Sequence, residues 1–109
     1  MFYVDEENNI YLTRGDSATL ELTIYDDEGE IYTPTENDVI VLTIKSNVLN
    51  NDYKLRKTFE SLRLVIISEE SEKLNFGTYF FDVRLINEDL TDTFICDGKF
   101  IIGGGTNAG

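Results

Sequence analysis

At 109 residues the chain is the size of one domain, and its 41% apolar content, with seven Phe and six Tyr, is that of a folded globule rather than a disordered chain. A net charge of −12, from 21 acids against 9 bases, disfavours nucleic acid and anionic membrane as partners, since both require positive surface. The lone Cys96 excludes an intrachain disulfide, and no run approaches the ~20 apolar residues of a membrane span.

Residues 1–7 lack the basic and apolar regions of a signal peptide, so cytoplasmic synthesis is the expectation. Phe2 to Val4, continuing through residues 9–13, reads as a first strand. Arg14-Gly15-Asp16-Ser17 then turns the chain, with Asp16 and Ser17 able to bond the local backbone. Residues 18–25 carry the clearest pattern. Ala18, Leu20, Leu22 and Ile24 fall on one face, and Thr19, Glu21, Thr23 and Tyr25 on the other, which is the period of a half-buried strand. Asp26-Asp27-Glu28-Gly29 makes a hairpin connection with glycine at the left-handed position, and a short strand follows at 30–32.

Residues 33–38 hold the only proline and read as a loop. The apolar run 39–45 predicts a strand covered on both faces. A polar loop spans 46–54, with strands at 54–60 and 62–67 after it. The spacing predicts one helix, over 68–74 and about two turns long, with Ser68 as its cap and Glu69 and Glu70 at the favourable end of its dipole. In the strand 78–86, Tyr79, Phe81, Val83 and Leu85 face inward while Asp82 and Arg84 face out. Residues 87–90 turn the chain, 91–96 return it, Asp97-Gly98 turns it again, and 99–102 close the sheet. The glycine-rich stretch 103–109 has no side chains to pack and is expected to be a flexible tail to a domain of residues 1–102. Seven or eight short strands with regular turn signals and at most one short helix predict an all-β, immunoglobulin-like antiparallel sandwich; a small closed barrel is the alternative.

Chemistry-bearing patterns are sparse. Without histidine the chain lacks the commonest general base, the usual metal ligand and Ser-His or Cys-His nucleophile activation. Gly103-Gly104-Gly105 precedes no helix that would cradle phosphate, and one cysteine cannot build a thiolate zinc site. No enzymatic activity, metal or cofactor is therefore expected. The acidic turns 26–30 and 87–89 have oxygen ligands suited to calcium, but Ile24 stands where an EF-hand spacing needs its first ligand, and ordinary hairpin turns account for them better. Arg14-Gly15-Asp16 spells an adhesion tripeptide and reads more simply as a turn before a strand. Tyr25, Phe80 and Phe94 lie on the opposite parity from the core faces. They form either a second core layer or an apolar patch for a partner chain.

Charge is unevenly spread. Residues 1–30 hold nine acids against the single base Arg14, whereas Lys54, Arg56, Lys57 and Arg63 cluster within ten positions. The simple reading is solvated surface. The sharper one is head-to-tail association, in which Asp26, Asp27, Glu28 and Glu30 of one subunit meet Lys54, Arg56, Lys57 and Arg63 of the next and the chain of contacts closes into a ring.

Two stretches carry a family resemblance. The first runs from Ile10 through Arg14-Gly15-Asp16-Ser17 and the alternating strand to Glu28-Gly29-Glu30-Ile31-Tyr32. The second comprises Gly77-Thr78-Tyr79, the strand through Asp82-Val83 to Leu85, and Gly98-Lys99-Phe100-Ile101-Ile102. Together they resemble the N-terminal domain of phage baseplate upper proteins and related small tail-associated immunoglobulin-like proteins from phages of Gram-positive bacteria. Thr33-Pro34-Thr35-Glu36-Asn37 stands where that family often has a Leu-Thr-Gly segment. The resemblance implies a non-enzymatic structural protein of a phage or prophage virion, an assembly module of tail, baseplate or neck. Its partners would be other virion proteins and further copies of itself. The alternatives are a bacterial carbohydrate- or surface-binding module, disfavoured by the lack of Trp, and a calcium-stabilised adhesive domain.

Overall fold

The computed structural model of the protein describes residues 1–47, 49, 52–87 and 92–104. In chain order the elements are β1 (Phe2–Val4), β2 (Ile10–Thr13), β3 (Ala18–Glu21), β4 (Ile24–Tyr25), β5 (Ile31–Tyr32), β6 (Val39–Lys45), β7 (Leu55–Phe59), β8 (Arg63–Ile66), the short helix α1 (Ser68–Glu72), β9 (Gly77–Ile86) and β10 (Asp92–Gly103). Six strands form one sheet in the order β1-β2-β10-β9-β6-β7. All its pairs are antiparallel except β2 with β10. The pair β3-β8 and the hairpin β4-β5 make the opposing layer.

Alternation decides what lies between the layers. Ile10, Leu12, Ile40, Leu42, Ile44, Phe81, Val83, Phe100 and Ile102 of the large sheet meet Ala18, Leu20, Ile24, Leu64 and Ile66 of the small one in a single buried cluster. Each large side chain so buried contributes about 1.5–3 kcal/mol. The chain passes from β8 in one layer to β9 in the other through α1, and Tyr79 fixes that crossing. Its hydroxyl donates to the Asn75 carbonyl at 2.9 Å. A tyrosine at the start of a strand, bonded back to the corner a few residues upstream, is the tyrosine corner of immunoglobulin-like sandwiches. The fold is all-β, as the alternation implies.

Several boundaries differ from the sequence reading. The first strand is two strands, β1 and β2, folded into a hairpin. Asp5 makes that turn by accepting the Glu7 and Asn9 amides at 2.9 Å each, with Asn8 at φ 67°. The strand at 18–25 divides because Ala18–Glu21 pairs with β8 whereas Ile24 and Tyr25 pair with β5. Asp97-Gly98 does not turn, and β10 runs unbroken through it. Gly98 is there because the Asn8 carbonyl of the β1–β2 turn lies against it, where a Cβ would come within 2.5 Å. Helix α1 has five residues, and Ile67 rather than Ser68 occupies the cap position; the Ile67 amide is taken by Glu70 Oε1 at 2.9 Å. On β6, Ile40, Leu42 and Ile44 enter the core, but on the other face only Val41 is buried, so the strand is not covered on both sides. Gly103 belongs to β10, paired with Thr13, and not to a tail. The expected tail from 105 onward and the turn at 88–90 lie outside the described residues.

Candidate interaction surfaces

The β4–β5 hairpin presents the acidic turn. Asp26 organises it from within: its Oδ1 accepts the Glu28 amide at 2.9 Å and the Glu30 amide at 3.0 Å. Its backbone amide donates to the Glu30 carbonyl at 2.8 Å, and Gly29 takes φ 81°. The Asp26 carboxylate thus stabilises an ordinary turn, while Asp27, Glu28 and Glu30 stay exposed. Among the described residues no three His, Cys, Asp or Glu side chains gather in a way that would hold a metal. Glu88 and Asp89 of the other acidic turn are outside the described residues.

Beside this hairpin opens a groove of about 480 Å³, bounded by Tyr25, Asp26 and Asp27 on one side and Leu85, Thr93 and Phe94 on the other. Tyr25 is 63% exposed and Phe94 51%. Phe94 owes its position to a bulge: the pairing of β10 with β9 shifts between Phe94 and Cys96, leaving Ile95 without a partner. The Arg84 guanidinium stands 5.9 Å from the Phe94 ring centre, on the outer face of the large sheet. Both Tyr25 and Phe94 therefore lie outside the core, and Phe80 is half-buried in register with Lys45 and Lys99. Aromatic surface of this kind next to charge is typical of contact patches.

The four clustered bases do not act as one patch. On β7 the alternation puts Leu55, Lys57 and Phe59 toward the interior and Arg56 and Thr58 outward. Lys57 reaches across the rim of the sandwich, where Nζ donates to the Val65 carbonyl at 2.8 Å and to Glu70 Oε1 at 2.9 Å. Arg63 stands across from Glu21 in the β3–β8 pair. Lys54 and Arg56 remain exposed, Arg56 with its guanidinium 5.8 Å from the Tyr53 ring centre. Register separates these two from the acidic hairpin. Leu85 beside the hairpin aligns with Ile40 and Phe59, while Leu55 and Arg56 align with Ile44 and Thr43 near the other end of β6. Acidic and basic surfaces thus sit toward opposite ends of the sandwich, the hairpin in the small layer and Lys54 and Arg56 at the β7 edge of the large sheet.

Arg14-Gly15-Asp16 is clamped onto α1. Arg14 Nε donates to the Glu72 carbonyl at 2.9 Å, the Gly15 amide to Ser71 Oγ at 3.0 Å, and the Ser71 hydroxyl bonds the Asp16 carbonyl at 2.7 Å. The Asp16 carboxylate pairs with the amino group of Met1. The tripeptide is a structural turn joining the two layers. Cys96 is half-buried against the core, and burial, with Asp97 and Asp82 nearby, raises its thiol above the ordinary value.

No family model, no curated protein and no solved structure matches the chain.

Proposed function

We propose that this chain is a non-enzymatic structural protein of a phage or prophage virion, an assembly module of tail, baseplate or neck. The observation that carries the assembly role is the separation of charge between the two ends of the sandwich. Asp27, Glu28 and Glu30 project at the hairpin beside Tyr25 and Phe94, and Lys54 and Arg56 project toward the other end. Such a module associates head to tail, because the surface that would meet a copy is not the surface the copy presents. The virion context is supported by the sequence resemblance through Gly15-Asp16-Ser17, Gly77-Thr78-Tyr79 and Gly98-Lys99-Phe100.

The test is mass spectrometry of purified particles from a host carrying the gene. The reading requires the protein in intact particles at a fixed ratio to other tail proteins. Its absence from particles that contain their full tails would overturn it.

A further inference from the structure

The two layers of the sandwich are unequal, and the inequality leaves a backbone edge of the small layer open. β3 pairs with β8 on one side and with no strand on the other among the described residues. The ladder identifies which groups are open. The Leu22 amide donates to the Leu62 carbonyl at 3.0 Å, in the register that pairs Leu20 with Leu64 and Ala18 with Ile66. Antiparallel bonds alternate, so the amides and carbonyls of Thr19 and Glu21 point away from β8. The matching edge of β8 is closed by Lys57 on the Val65 carbonyl. Among the described residues no such closure stands at β3.

Next to this edge is an apolar cleft of about 260 Å³ between β3 and the β1–β2 hairpin. Phe2, Val4, Leu22 and Cys96 line it while only partly buried, Val4 being 44% exposed, and Phe81 and Val83 form its floor. An open row of Thr19 and Glu21 backbone groups beside an apolar trough is what an added strand requires: main-chain bonds along the edge, and every second side chain in the trough.

Charge selects the occupant. Among the described residues Glu21 is the one acidic or basic residue lining the cleft, and Glu6 and Glu7 lie in the turn that ends in Asn8 at its border. Arg63, the base directly across from Glu21, belongs to β8, on the side of β3 away from the cleft. The basic strand β7 of a second copy has its alternate apolar side chains, Leu55 and Phe59, packed against its own core and so has none to place in the trough. We propose that the β3 edge accepts an extended segment of a different protein, apolar at alternate positions and basic between them. This acceptor does not depend on the charge poles of the assembly reading, and a monomeric protein would still display it.

The probe is a capped seven-residue peptide alternating Lys and Val, compared with a Glu/Val counterpart, each added to the full chain. At saturation the Lys/Val peptide is expected to slow amide exchange of Thr19 and Glu21 by about tenfold or more. It should also slow the reaction of Cys96 with a thiol reagent, and the Glu/Val peptide should do neither. Thr19→Pro removes an outward amide without touching the ladder to β8 and should abolish the effect on Cys96 while thermal unfolding is retained. Should that variant fail to fold, Val4→Lys at the rim is expected to weaken the Lys/Val peptide by about tenfold through like-charge repulsion. Unchanged exchange at Thr19 and Glu21, or equal protection by the acidic peptide, overturns the proposal. Protection that grows with protein concentration in the absence of peptide would assign the edge to a second copy and overturn it as well.

Discussion

Lys57 Nζ lies 2.8 Å from the carbonyl oxygen of Val65, so a side chain from the rim of one sheet closes the backbone edge of the other. The same ammonium pairs with Glu70 at 2.9 Å, and both side chains are about three-quarters shielded from solvent. Glu70 in turn accepts the amide of Ile67, the residue that caps α1. Lys57→Met keeps the aliphatic stem and deletes both bonds. The expected cost is about 1–3 kcal/mol, read from the midpoint of urea unfolding at unchanged slope. A midpoint equal to wild type would mean that the contact contributes nothing. The same variant should leave self-association intact, whereas Arg56→Glu should weaken it, since only Arg56 faces outward.

Tyr32 and Asp38 make stability depend on pH in both directions. The Tyr32 hydroxyl donates to Asp38 Oδ2 at 2.5 Å, and the Thr35 amide adds a bond at 2.9 Å to the same oxygen. These bonds favour the ionised carboxylate and lower its pKa below the ordinary 3.8. The stability they contribute is present above that value and is lost as pH falls through the lower folded one. The bond to Asp38 also raises the Tyr32 phenol above its ordinary 10.0, so its share is present below pH 10.0 and is lost as pH rises through the higher folded value. Asp5 and Tyr11 are shifted in the same two senses. In thermal unfolding followed from pH 2 to 11, Tyr32→Phe should flatten part of the decline at each extreme. A profile parallel to wild type would show that the pair does not couple to folding.

Gly98 holds the β1–β2 turn against β10. An added Cβ would meet the Asn8 carbonyl oxygen at 2.5 Å and Phe81 Cε1 at 3.0 Å. Gly98→Ala must displace backbone rather than a flexible side-chain end, and the expected loss is about 1–3 kcal/mol. Amide exchange should show the loss concentrated at residues 5–10. Uniform exchange change across the chain, or none, would mean that the approach is not tight.

What could be read in the sequence followed periodicity. The faces of residues 18–25 and of 79–85 are legible because apolar and polar residues alternate there apart from Tyr25 and Phe80, whereas Phe94 shares the parity of the buried Phe100 and Ile102 and faces outward only because of the bulge. The dipeptide Asp97-Gly98 misled, because glycine serves both turns and close backbone approach, and only the position of Asn8 distinguishes them. The four bases at 54–63 read as one patch by proximity, although alternation of Leu55, Lys57 and Phe59 against Arg56 and Thr58 already separates Lys57 from its neighbours. Nothing local marks the bulge at Ile95, since it is set by how β10 pairs with β9. The open edge of β3 was equally hidden. It depends on which strands are missing beside it, which is a property of topology and not of the four residues.

Head-to-tail association through opposite charge poles is read from the mass of the protein in solution. Light scattering behind a sizing column, over a series of protein and salt concentrations, should give a defined oligomer at low salt that dissociates as salt rises, because contacts between exposed charges are screened. A mass of 12.5 kDa, the monomer, under every condition would contradict head-to-tail association.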